Sequence, residues 1–95
     1  MVFDSKREGR FWLFLQSEKA AGKICRFERQ VPFEVIPACG DERPARYIAD
    51  FVTYDEAGNI IDVYDVKSAV TRTLPEYVLK RKLMLWRHGL KIREV

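Results

Sequence analysis

Hydrophobic positions along this chain switch from helical spacing to strand-like alternation and back, with turn residues marking the changes. Ser5-Lys6-Arg7-Glu8 has the S-x-x-E form of a capping box, and Phe11, Trp12, Phe14 and Leu15 follow at helical spacing, with Gly22 as the stop. A first helix is expected over about residues 5–21. Lys23 to Glu28 mixes Ile24 and Phe27 with charges, Val31-Pro32 interrupts, and Phe33 to Ile36 alternates before Pro37 and a Gly40-Asp41-Glu42 loop. This stretch reads as two short strands. Arg46 to Asp55 and Ile60 to Lys67 are rich in β-branched and aromatic residues, and Glu56-Ala57-Gly58-Asn59 joins them as a hairpin turn. Thr73-Leu74-Pro75-Glu76 has the form of a second capping box. It is followed by Leu79, Leu83 and Trp86 at i, i+4, i+7, which predicts a helix over about 74–88 ending at Gly89. Leu90 to Val95 completes the pattern as a strand, reached by a crossover onto the same sheet. The expected architecture is α/β, a mixed sheet flanked by helices in the order α-β-β-β-β-α-β.

Ninety-five residues, 47% of them hydrophobic, make one domain over 1–95 with a modest core. No apolar run is long enough for a membrane span and no signal-peptide pattern opens the chain, so a soluble, intracellular protein of the cytoplasm is expected. Cys25 and Cys39 are too few for a disulfide framework and are expected to be buried or inert thiols; with His88 the only histidine, no zinc cluster is spelled out. The net charge of +3 is unevenly placed. Residues 67–95 hold 8 Lys/Arg against 2 Asp/Glu, and residues 1–66 hold 9 against 12. A basic C-terminal third beside a carboxylate-rich remainder suits a protein that grips a phosphate backbone and holds cations next to it, although a solvated basic helix face has the same composition.

The candidate chemistry lies on the hairpin. Residues two apart on a strand share a face, so Asp65 and Lys67 project together at the end of an apolar stripe formed by Ile61 and Val63. Asp50 shares a face with Ile48 and Val52. If Glu56 to Asn59 form a four-residue loop, Asp55 pairs with Ile60, and the same register sets Asp50 across from Asp65. Two carboxylates so placed repel unless a cation lies between them. Their oxygens, with positions left for water and phosphate, suit Mg²⁺ or Mn²⁺. Lys67 could then orient a water or offset charge on phosphorus. The competing reading is a buried ion pair of Lys67 with Asp65 or Asp50. Glu8 has two readings, a helix cap or a further metal ligand reaching in from the sheet-facing side of the first helix. Gln30 reads as a turn residue or a polar neighbour of the site, and His88 as a helix-end residue. Arg72, Lys80, Arg81, Lys82 and Arg87 are candidate phosphate contacts.

The arrangement of Ser5-Lys6-Arg7-Glu8, Phe27-Glu28-Arg29-Gln30, Tyr47-Ile48-Ala49-Asp50-Phe51, Tyr64-Asp65-Val66-Lys67-Ser68 and Gly89 to Val95 resembles the small, mostly phage-encoded PD-(D/E)xK nucleases related to Holliday junction resolvases. The resemblance spans nearly the whole chain. It implies a restriction-endonuclease-like α-β-β-β-α-β core, with Asp50 as the motif aspartate, Asp65 in the acidic position of (D/E)xK, Lys67 as the motif lysine and Glu8 as the helix-one glutamate. It also implies a Mg²⁺-dependent endonuclease acting on branched DNA as a homodimer, in the host cytoplasm if phage-encoded. Ala49 stands where the motif name has proline, and Asp65 where glutamate is commoner. Neither change removes a ligand oxygen. The alternative is a DNA-binding protein that keeps the fold without cleavage.

Overall fold

The computed structural model describes Phe3 and residues 5–95. Helix α1 spans Lys6–Ala20; strands β1 (Arg26–Ile36), β2 (Ala45–Tyr54) and β3 (Ile60–Asp65) follow; a 3₁₀ turn at Thr71–Thr73 leads into α2 (Pro75–His88), and β4 (Ile92–Glu94) closes the chain. The four strands form one sheet in the order β1-β2-β3-β4. The first three are antiparallel neighbours, and β4 lies parallel to β3, as a helical crossover between them requires. The α/β class and the flanking helices are those expected from the sequence. The two short strands expected between Lys23 and Ile36 are instead one eleven-residue strand. Pro32 does not break it because β1 is an edge strand, where a missing N–H leaves no ladder bond unmade.

The sheet turns over part-way along β1 and β2. Phe27 packs beside Phe51 in a cluster with Leu15 and Tyr64, on the α1 side. Val31, Phe33 and Val35 pack in the other cluster, with Tyr77 and Met84 of α2. Strict alternation would have put Phe27, Val31, Phe33 and Val35 on one face. Gln30, at φ 53°, lies in the left-handed region, and the strand changes face there. β2 changes face opposite it, since Tyr47 and Ala49 join the α2-side cluster together with Val52 and Tyr54 while Phe51 does not. The pairs Arg29↔Phe51 and Val31↔Ala49 bracket the crossover, which places Gln30 and Asp50 at its centre. The expected stripe of Ile48, Asp50 and Val52 is therefore broken: Ile48 is exposed and Val52 fully buried.

Ser5 caps α1, its hydroxyl accepting from the Glu8 N–H at 3.2 Å. At the other end Gly22, at φ 78°, lets its own N–H reach the Lys19 carbonyl. The second capping box is not made. Pro75 at the first helical position holds Leu74 extended, so Leu74 is the N-cap, and the Thr73 hydroxyl donates to the Val70 carbonyl within the 3₁₀ turn. The expected inward stripe of α2 is also reversed. Tyr77 and Met84 are buried, whereas Leu79 and Trp86 are 55% and 79% exposed and only Leu83 packs against the core. Nearly every face of α2 carries an apolar residue, so periodicity alone does not select the buried one. Cys25 and Cys39 are free thiols, and both are exposed rather than buried. No described helix is long and apolar enough to cross a membrane.

Candidate active site at the end of strand three

The hairpin between β2 and β3 sets the register. Its turn departs from the expected four-residue loop: Tyr54 stands opposite Ile60, the Asp55 N–H donates to the Asn59 carbonyl at 2.9 Å, and the Asp55 carboxylate accepts from the Ala57 and Asn59 N–H groups at 2.9 Å each. A bulge between Thr53 and Tyr54 then restores the expected alignment, giving Thr53↔Asp62, Val52↔Val63 and Phe51↔Tyr64. One residue further, Asp50 stands across from Asp65, where β3 ends. The Asp50 Oδ2 accepts from the Val66 N–H at 2.8 Å, and Oδ1 lies 3.5 Å from the Gln30 Nε2. Asp50 thus caps the strand end with one oxygen and leaves the other lightly held. Gln30 is not a turn between two strands but lies within β1 at a positive φ, with its side-chain amide beside Asp50.

Asp65 is 1% exposed. The Tyr47 hydroxyl donates to its Oδ2 at 2.5 Å, and the Lys67 Nζ lies 3.2 Å from Oδ1, an oxygen with no hydrogen-bond donor of its own. Lys67 lies beyond the last residue of β3, and its ammonium also stands 5.7 Å from the centre of the Tyr77 ring. Burial pushes the Asp65 carboxyl up to about 6; the Asp50 carboxylate pushes the same way, and the Tyr47 hydroxyl and Lys67 ammonium pull against it. Burial, with the bond to Asp65, holds the Tyr47 hydroxyl far above the usual tyrosine range. A carboxyl kept half-neutral near pH 6 by its surroundings, beside an ammonium, is an arrangement that stability alone does not favour.

A cleft of about 550 Å³ opens beside the pair, lined by Arg46, Ile48, Lys67, Leu74, Tyr77 and Lys80 among others. The Tyr77 hydroxyl is buried without a hydrogen-bond partner, and burial, with the nearby Asp65 and Glu94 carboxylates, raises it well above its usual range.

Asp50, Asp65 and Lys67 are thus brought together. Glu8 is buried on α1, at 5% exposure. Among the described residues no three His, Cys, Asp or Glu side chains come together as a metal-holding group. Two carboxylates are nonetheless a sufficient protein contribution for Mg²⁺, which keeps several waters and takes its remaining oxygens from phosphate. The undonated Oδ1 of Asp65 and the lightly held Oδ1 of Asp50 fit that role.

The expected phosphate contacts divide. Arg72 and Arg81 both pair with Glu94, at 3.8 and 3.7 Å, and Arg87 pairs with Glu34 at 3.4 Å. His88 contacts the Glu34 carbonyl at 2.7 Å and stacks edge-on against Phe33, which makes it a helix-end anchor as expected. Lys80 pairs with Glu76 at 3.2 Å along its own helix, at the rim of the cleft. Lys82 is exposed.

Sequence reading missed Tyr47 and Arg7. A tyrosine in place of phenylalanine at an inward strand position was the available signal, because a buried hydroxyl needs a partner. Arg7 had none: its guanidinium donates to the Lys67 carbonyl at 3.3 Å across sixty residues of sequence.

A mixed four-stranded sheet with a buried carboxylate–ammonium pair at one strand end defines the class. The chain belongs to the protein family of unknown function designated DUF1064, whose family model matches residues 1–93. No curated protein and no solved structure matches it.

Proposed function

We propose that this protein is a Mg²⁺- or Mn²⁺-dependent DNA endonuclease that hydrolyses phosphodiester bonds at the end of β3, with branched DNA such as the four-way junction as its substrate and a homodimer as its active form. The observation that carries the chemistry is Asp65, buried between Tyr47 and Lys67 and set across from Asp50. Asp50 and Asp65 would hold the cation, which when bound polarises a phosphoryl oxygen and acidifies a water. Tyr47 fixes the orientation of Asp65 through Oδ2, so Oδ1 keeps one direction. The Lys67 ammonium faces Asp65 Oδ1 as an ion pair at 3.2 Å, and its three protons are available to the attacking water and to a non-bridging phosphate oxygen as charge builds there. Water adds to phosphorus and gives up a proton to solvent, one P–O ester bond breaks, and the departing oxygen takes a proton from solvent in the cleft. The preference for branched DNA and the dimer rest on the resemblance to junction-resolving nucleases; two opposed cuts need two sites related by a two-fold axis.

The test is cleavage of linear, nicked, flap and four-way-junction DNA with Mg²⁺, Mn²⁺, Ca²⁺ or EDTA, alongside sedimentation with and without junction DNA. Asp50→Ala, Asp65→Ala and Lys67→Ala should each lower cutting by about 10²-fold or more while leaving the fold intact. Full activity in any of the three would sink the site. No cleavage with either metal, but retained DNA binding, would favour a binding protein on the nuclease-like fold. Glu8→Gln separates the readings of that residue: a normal melt with poor cutting places the carboxylate at the metal, and unchanged cutting leaves only a helix role.

A further inference from the structure

The cations of α2 and its approach dominate the charge pattern of the sequence, yet the fold neutralises much of that charge internally. Arg72 and Arg81 share Glu94, and Arg87 holds Glu34, so these three pin the 3₁₀ turn and α2 to β4 and β1. A guanidinium already facing a carboxylate adds little net positive field and displaces few counterions from DNA. Of the arginines without a carboxylate partner among the described residues, three lie on either side of the end of β3. On the α2 side, exposed Arg46 lines the cleft that reaches Asp65 and Lys67. On the α1 side, exposed Arg7 and Arg10 line a second hollow, of about 290 Å³, with Phe11, Phe14, Val66 and Val95. Val66 and Lys67 form the ridge between the two hollows, and the bond from Arg7 to the Lys67 carbonyl ties the second hollow to the proposed catalytic lysine.

We propose that the DNA phosphate backbone crosses the end of β3 from Arg46 to Arg7 and Arg10, so that the principal phosphate contacts come from β2 and α1 and not from Arg72, Arg81 and Arg87. This path lays the strand over Asp65 and Lys67 and gives it cationic contacts upstream and downstream of the site. It rests on the reading of the protein as DNA-binding, but not on cleavage.

The experiment is fluorescence anisotropy with a short labelled duplex in EDTA, over about 50–200 mM salt. Arg7→Gln/Arg10→Gln/Arg46→Gln should weaken binding and make the plot of log affinity against log salt shallower by roughly 2–3, about 0.9 for each phosphate no longer neutralised. Because Arg7 also touches the Lys67 carbonyl, Arg10→Gln/Arg46→Gln is measured separately, with a loss of slope of roughly 2 expected and an unchanged melt. Arg10→Lys/Arg46→Lys should restore the slope, as neutralisation of phosphate charge requires. Arg72→Gln and Arg87→Gln should leave the slope unchanged and lower the melting temperature. An unchanged slope in the Arg10/Arg46 pair, or an equal loss in Arg72→Gln and Arg87→Gln, overturns the path even if the protein cuts DNA. Loss of slope in a protein that never cuts would uphold the path while removing the nuclease reading. Absence of any duplex binding by the unaltered protein would overturn both.

Discussion

On the α1 face of the sheet, Phe11, Phe27, Phe51 and Tyr64 meet ring to ring, with centroids 4.7 to 6.4 Å apart, and Leu15 is sealed beneath them. On the α2 face, Val35, Val52, Val63 and Met84 make an aliphatic layer that ends at Tyr47, Asp65 and Tyr77. The rings of the first face have few polar atoms to satisfy, and the one charged side chain buried on its helix is Glu8. The second buries a carboxylate at a cost its neighbours only partly offset. The contrast shows how stability is distributed in this small domain: one face supplies packing energy, and the strand end on the other holds a charge that folding alone would discard.

The comparison breaks most visibly at Phe51, which is fully buried between Phe11 and Phe27. Phe51→Ala should cost about 3–5 kcal/mol, seen as a melting temperature lower by roughly 15 °C or more, or as loss of the fold. A cost under about 1 kcal/mol would mean the α1 face is not the source of stability.

Asp65→Asn should act in the opposite direction. Because the folded carboxyl titrates near 6, the folded state keeps a proton that the unfolded chain releases from about pH 4 upward. The group's contribution is therefore most favourable below about pH 4, declines as pH rises through that window, and stays low above it. In metal-free buffer at about pH 7 the asparagine variant, which still offers Tyr47 an acceptor, should be more stable by on the order of 2 kcal/mol, and its stability should no longer fall between about pH 4 and 6. Equal or lower stability near neutral pH would show that the ion pair with Lys67 outweighs burial.

Tyr47→Phe sharpens the same point, since it removes the one hydroxyl that favours the charged carboxylate. A loss of about 1–3 kcal/mol at about pH 7 is expected, shrinking at about pH 4 where the carboxyl is protonated in both proteins. A loss independent of pH would assign the tyrosine a packing role only.

The smallest effects compare the two capping motifs. Ser5→Ala should cost about 1 kcal/mol, because Ser5 accepts from the Glu8 N–H, whereas Thr73→Ala should cost less through loss of a single exposed bond to Val70. Equal penalties in paired melts would contradict the assignment of Leu74 as the cap.

Much of this protein was legible in its sequence because the relevant physics is local. Turn residues and side-chain period set the helices and the hairpin, and an antiparallel pair with a fixed turn places Asp50 across from Asp65 even though the loop and bulge divided the residues differently than expected. The proximity of Lys67 to Asp65 follows from their two-residue separation. What only the tertiary structure decided are matters of facing and of pairing. The Val31-Pro32 interruption marked a break near this point, but the hydrophobic spacing did not show that β1 and β2 continue and change face at Gln30 and Asp50, because a left-handed residue other than glycine leaves no mark in composition. Leu79, Leu83 and Trp86 are spaced as well as Tyr77 and Met84, and only the shape of the sheet chose between the two faces of α2. Charge counting made the C-terminal third look like the cationic surface. Glu34 and Glu94, brought in from β1 and β4, show how far Coulombic partners are chosen by distance in space, which a linear count of lysines and arginines does not contain.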